Sequence, residues 1–267
     1  MKNTKTVNNS YKKDFGEMLQ EVVTKEGAIS QCYRLFHNYS VCNQWLAYIQ
    51  MASRGIELSP INSYGGWQKL NRQVRRGEKA IYLWQPLIIK VDDVDKNGKP
   101  CKTEKLIFKF KPLWFALSQT DGDNTVDIDD VKIDGFNFTP VYKKYDIELI
   151  PFEEINGNVQ GYAITKDKKL AINPLAQHAE MTILHEVAHI ALKHHEMTDM
   201  DRGMKEMEAE TVAYIVGNIL GLPEEQLSSS RAYVQGWFKN DKIADKNAKR
   251  ILKVANEIIK EGLENKD

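Results

Sequence analysis

The stretch that most constrains this chain is His185-Glu186-Val187-Ala188-His189. It lies in a run, 176–195, whose Ile183, Leu184, Val187, Ala188, Ala191 and Leu192 form a continuous apolar stripe at helical spacing. Asn173 is placed to cap that helix and Pro174 to occupy its first turn. Residues four apart share one helix face at about 6 Å, so the two imidazoles can take one ion. Glu186, next to the first of them, is angled toward whatever that ion binds. This is the geometry of a zinc site with a built-in base, but so short a pattern also arises by chance. The rest of the chain has to supply what two histidines lack.

A catalytic zinc site usually takes a third protein ligand and keeps one position for water. The next predicted helix, 204–220, offers one. Glu206, Glu210, Ala213 and Gly217 fall along one face at intervals of about four, and the small Ala213 and Gly217 would let two helices approach closely. Glu208 is rotated by about 200° from Glu206 and points away. We therefore assign Glu206 as third ligand and Glu210, one turn on, as acceptor for the far N–H of a ligand histidine. Only the helix-face argument separates these two acids. Tyr233 and His178 are the candidates for stabilising an oxyanion, although Tyr233 equally suits a packed aromatic on an amphipathic helix. His194 and His195 end the motif helix, where capping through the helix dipole is expected.

Lys plus Arg equals Asp plus Glu at 37 each, so no global field favours a polyanion and any nucleic-acid contact must come from local clustering. Cys32, Cys42 and Cys101 are widely spaced and include no C-x-x-C pair, which points to reduced thiols rather than a disulfide framework. The polar N-terminus has no apolar h-region, and no uncharged apolar run reaches about 18 residues. A cytoplasmic protein without membrane contact is expected.

In chain order, residues 1–10 read as a disordered tail. Helices are expected over 14–25 and 41–54, the second ended by Gly55, with a short helical piece near Trp67–Leu70. Ala80–Val91 and Leu106–Leu117 read as strands around a turn-rich segment containing Asn97-Gly98. Residues 119–135 are acidic and poor in large apolar side chains, and a solvated linker is expected over 119–140; the register of a calcium loop is absent. A strand over 145–150, a hairpin over 158–173, the motif helix and helices over 204–220, 224–240 and 243–261 follow. The fold class is α+β, with domains over 11–118 and 141–267.

Gly66–Pro86 sets Lys69, Arg72, Arg75, Arg76 and Lys79 against the single acid Glu78 and interleaves Trp67, Tyr82 and Trp84. Cations for phosphates beside aromatic faces for bases are what a single-strand binder needs, although a basic turn over a packed aromatic core would read the same way.

Two resemblances carry this further. Residues from about 145 to 240 resemble the minimal gluzincin-type zincin metallopeptidases, in particular ImmA/IrrE-like domains, whose E-x-x-A-x-x-x-A helix is matched by Glu206, Ala209 and Ala213. That resemblance implies a small sheet behind the motif helix, zinc held by His185, His189 and Glu206, and Glu186 as general base. His37-Asn38-Tyr39-Ser40, Asn43-Gln44, Gln50 and the pattern from Trp67 through Arg72, Val74 and Gly77-Glu78-Lys79-Ala80-Ile81 to Pro86 resemble the N-terminal domain of the ArdC antirestriction family, with Asn71-Arg72 where that family has Gly-Arg. The resemblance implies sequence-nonspecific binding of single-stranded DNA. The expectation is an ArdC-like antirestriction protein of a mobile element carrying a zinc metallopeptidase-type site, its protein substrate being a restriction subunit or a repressor. The alternatives are an ImmA-like regulatory protease that cleaves a repressor, and a DNA-binding protein with a proteolytically silent zinc site.

Overall fold

The computed structural model describes residues 14–94, 99–122, 135–154 and 159–264. The expected tail over 1–10, the Asn97-Gly98 turn and the middle of the expected linker lie outside these. In chain order the elements begin with α1 (Phe15–Thr24), α2 (Ala28–Phe36), α3 (Val41–Ser53), β1 (Ile61–Ser63), α4 (Tyr64–Lys69) and β2 (Gln73–Val74). They continue with β3 (Ile81–Val94), β4 (Pro100–Ala116), a 3-10 turn (Leu117–Gln119), β5 (Thr120–Asp121), α5 (Phe138–Tyr145), β6 (Glu148–Leu149), β7 (Gly161–Ile164) and β8 (Lys169–Ile172). The motif helix α6 (Ala179–Ala191), a 3-10 turn (His194–Glu196), α7 (Arg202–Ile219), α8 (Glu224–Asn240) and α9 (Asp245–Glu264) complete an α+β chain.

The chain divides into two compact units, residues 42–129 on one side and residues 12–41 with 130–267 on the other. This corrects the expected span of the first domain, because α1 and α2 belong to the second unit. The amphipathic face of α1 buries Met18, Leu19, Val22 and Val23, and the helix packs on α8 and α9. It is tied there too, with the Phe15 N–H donating to Asp245 Oδ1 at 2.7 Å and Gln20 Nε2 to the Phe238 carbonyl at 3.0 Å. An apolar stripe is indifferent to which unit covers it, so chain order alone could not place this helix.

In the first unit β1, β4 and β3 form an antiparallel sheet in that order. Its outer strand β3 would expose backbone donors and acceptors at Tyr82 and Trp84, and α3 satisfies them. Asn43 takes the Trp84 N–H and gives a hydrogen bond to its carbonyl, both at 2.9 Å. Gln50 does the same for Tyr82 at 2.9 and 2.7 Å. Two side-chain amides on a helix thus stand in for a missing neighbour strand. The linker expected over 119–140 is shorter than its composition suggests. Gln119 and Thr120 are buried, β5 pairs with β2, and Asn137 caps α5 through the Thr139 N–H.

In the second unit β6, β8 and β7 form a small sheet, β6 parallel and β7 antiparallel to β8. Most of the strand expected over 145–150 is instead the end of α5 and a turn through Asp146 at φ 55, leaving β6 with Glu148 and Leu149. The motif helix begins at Ala179 behind His178, not at Asn173, whose side chain accepts from the Leu175 N–H and closes a local turn. The close approach expected at Gly217 is real: a Cβ there would come within 2.7 Å of Met181 Sδ on α6 and 2.9 Å of Leu227 Cδ2 on α8. No helix among the described residues is long and apolar enough to cross a membrane.

Candidate metal centre

The i, i+4 spacing on α6 turns both motif imidazoles to one side, and α7 brings Glu206 opposite them. His185 Nε2 and His189 Nε2 stand 3.1 Å apart, and Glu206 Oε2 lies 3.3 Å from the first and 3.4 Å from the second. A tetrahedron with metal–ligand bonds of about 2.05 Å has edges of about 3.3 Å, so this triangle has the size of one face of a tetrahedral metal site. Among the described residues it is the His, Cys, Asp and Glu cluster with the spacing to hold a metal ion.

Glu210 is where the helix-face argument put it. Its Oε2 accepts from His185 Nδ1 at 2.6 Å, which leaves His185 Nε2 free for an ion. Burial alone would raise the Glu210 pKa, but its bonds to His185 and to the Ser230 hydroxyl hold it below the ordinary carboxylate value. Ser230 carried no motif; only packing of α8 shows it. Glu186 is no part of the triangle. Burial raises its pKa, while a hydrogen bond from the Ala163 backbone on β7 works the other way.

The charges around the triangle are strongly coupled. The hydrogen bond to His185 holds Glu206 down at about 2. Burial opposes a charge on His185, yet hydrogen bonds to Glu206 and Glu210 outweigh it and raise the pKa to about 10. Burial, with the charge of His185 beside it, pushes His189 down to about 4. Without metal, one imidazolium therefore stands between two carboxylates.

A pH dependence follows. Metal ligation requires neutral His185, so uptake near pH 7 is expected to release about one proton and affinity to rise about tenfold per pH unit up to about pH 10. Calorimetry in buffers of different ionisation enthalpy measures the release; none at pH 7 would contradict the assignment. In the metal-free protein the sign is opposite. A raised histidine stabilises the fold below its ordinary value of about 6.5 and loses that contribution as pH climbs through the folded value.

A cleft of about 440 Å³ opens beside the triangle, lined by Gln160, Gly161, His178, His185, Glu186 and Glu210 among others. His178 thus stands in the cleft wall. Tyr233, 45% exposed, lies close enough to Glu206 and Glu210 for their charges, after burial, to raise its pKa. Glu208 does point away from the triangle as expected, but into the interior. The capping role expected of His194 is corrected. Its ring is buried against His189 and Glu208, whereas His195 is exposed beside Glu196.

The expected DNA-contacting residues separate into three groups. Trp67 is 1% exposed and donates through Nε1 to the Phe115 carbonyl at 2.8 Å, so it is core. Arg72 ties the chain to Thr120 Oγ1 at 2.9 Å and the Gly122 carbonyl at 2.8 Å, and Arg75 bonds Glu78, Asp121 and the Ser118 carbonyl. These two arginines hold the turn that carries β5. Lys69, Arg76 and Lys79 are exposed, and Tyr82 and Trp84 sit half-buried with their ring centroids 5.3 and 5.2 Å from that of Phe110. Phe110 was not anticipated. With Phe108 it alternates against Lys109 and Lys111, a period-two signal that puts it on the face of Tyr82 and Trp84.

Two solved structures of the antirestriction protein ArdC from the R388 plasmid match from end to end. The metal-free form is 18% identical with a TM-score of 0.50, over 94% of this chain and 98% of that one. The Mn(II)-bound form is 18% identical with a TM-score of 0.49, over 95% and 99%. The chain has the fold of ArdC. No protein-family model and no curated protein matches the sequence. What these structures show is therefore a likeness of fold.

Proposed function

We propose that this chain is an ArdC-like antirestriction protein of a mobile element, in which one unit binds single-stranded DNA without sequence preference and the other is a zinc metallopeptidase. The observation that carries the peptidase reading is the convergence of His185, His189 and Glu206 with Glu186 beside them and a cleft alongside. The ArdC fold supports the antirestriction reading.

His185, His189 and Glu206 would hold the ion. Bound zinc supplies a Lewis acid and a water acidified toward a pKa of about 7. Glu186 takes a proton from the attacking water and returns it to the leaving amine as the peptide C–N bond breaks. Its burial raises its basicity, and the bond from Ala163 keeps it turned to the cleft. Glu210 and Ser230 fix His185. On this reading Tyr233 donates its hydroxyl to the developing oxyanion, a role supported by its lying within the electrostatic reach of Glu206 and Glu210. As the outer strand of its sheet, β7 offers an extended peptide a row of backbone partners along the cleft. The substrate on this reading is a protein, a restriction subunit in first place.

For DNA, Lys69, Arg76 and Lys79 are the exposed cations proposed to track phosphates, and Tyr82, Trp84 and Phe110 the rings proposed to stack bases. Three phosphate contacts predict a slope of about −2 for the logarithm of affinity against that of salt concentration. Reversing these three charges is expected to flatten the slope without unfolding the protein. Fluorescence anisotropy of labelled oligonucleotides across a salt series reads this. A wild-type affinity indifferent to salt sinks the patch. Survival of unmodified DNA entering a restricting host tests the function as a whole; no gain over an empty vector refutes it.

A further inference from the structure

His185 is backed directly by a carboxylate, but His189, the other motif imidazole, is backed by something else. His189 Nδ1 meets His194 Nδ1 at 2.7 Å, His194 Nε2 meets Glu208 Oε2 at 3.0 Å, and the same oxygen takes Arg250 Nη2 at 3.0 Å. His194 is 3% exposed and Glu208 0%. We propose that His194, Glu208 and Arg250 are positioning residues, a hydrogen-bonded chain that holds His189 in the tautomer a metal requires.

The argument is one of donors and acceptors. Arg250 offers only donors, so the Glu208 oxygen it meets is an acceptor. That acceptor must receive a proton from His194 Nε2. A singly protonated His194 then presents a bare Nδ1, which can only accept. His189 Nδ1 must in turn carry its proton, and its Nε2 lone pair is left facing His185 and Glu206. Each bond in the chain admits one direction, and the last settles which nitrogen of His189 can ligate.

The backbone is shaped to bring these groups together. Lys193 adopts φ 56, ψ 45, the left-handed region uncommon outside glycine, and so turns the chain back immediately after α6 to lay His194 against His189. Arg250, on α9, also donates to the Leu192 carbonyl at 3.2 Å, which fixes it at the end of the motif helix. On α7 the alternation Glu206, Glu208, Glu210 then acquires a division of labour. The outer pair serves the ion and His185, while the middle acid, on the opposite side of the helix, serves His189 through one intervening ring. Setting Glu208 one ring back and neutralising it with Arg250 avoids a further unpaired carboxylate beside Glu206, Glu210 and Glu186.

The proposal rests on the reading of His185, His189 and Glu206 as metal ligands, and two measurements keep the two apart. Long-range ¹H–¹⁵N correlation of the imidazoles in the metal-free wild-type protein should show His189 protonated at Nδ1 and His194 at Nε2; either ring in the other tautomer overturns the chain. Zinc affinity, read by chelator competition, should fall by about 10–100-fold in His194→Leu. His194→Gln, whose amide can accept from His189 and donate to Glu208, should stay within about threefold of wild type by the same reasoning. Equal affinity of the Leu and Gln variants overturns the proposal. Should His194→Leu fail to fold by circular dichroism, the tautomers of the wild type decide it. A wild-type protein that takes up no zinc refutes the metal reading, while the tautomer measurement still judges the chain.

Discussion

Glu186→Gln is expected to lower peptide hydrolysis by about 10²–10⁴-fold, the usual contribution of a general base, with zinc content unchanged. Glu186 lies outside the triangle of His185, His189 and Glu206, so its loss does not remove a ligand. The amide keeps the volume and can still accept from the Ala163 backbone, so the cleft wall stays in place. What it loses is the ability to take a proton from water. Rates on any peptide the wild-type protein cleaves, with metal content measured on the same samples, read the effect. A variant as fast as wild type would remove Glu186 from the mechanism, and loss of zinc in the variant would make it a ligand instead.

Trp67→Ala is expected to cost about 3–5 kcal/mol of stability, the range for emptying a buried aromatic site. The ring is 1% exposed, and its truncation also leaves the Phe115 carbonyl without its indole donor. Trp84→Ala should cost much less, because that ring is half-buried and its neighbours can close partly over the gap. For DNA binding the order should reverse. Trp84→Ala is expected to weaken single-strand affinity by about 1–3 kcal/mol, one stacked base, whereas Trp67→Ala should act only through stability. Urea denaturation with oligonucleotide titrations of the folded proteins separates the two. Unchanged stability in Trp67→Ala, with lost affinity, would put that ring at the DNA surface and contradict the structure.

Much of the candidate metal site was legible because its geometry is local. Helical periodicity sets His185 and His189 one turn apart and does the same for Glu206 and Glu210, and no tertiary information is needed for either pair. The small residue at Gly217 reported that the two helices meet. The basic stretch was legible only as composition. A run of cations and rings does not say which are spent on the fold's own contacts; Trp67 proved to be core, and Arg72 and Arg75 to be hydrogen-bonded around β5. The same blindness to long-range packing placed α1 with the wrong unit. It also extended the linker over Gln119 and Thr120, which are polar yet buried because β5 pairs with β2.

By itself, then, the order of residues determined the pairs that sit one helical turn apart, hence the candidate metal-ligating face and the acid beside it. Only the tertiary structure decided what stands behind that face. Ser230, His194 and Arg250 reach it from three other segments, and Glu208 becomes part of it only because the far side of α7 is buried too. Helical spacing is a property of a few bonds in sequence, whereas a buried hydrogen-bond chain depends on where distant segments come to rest.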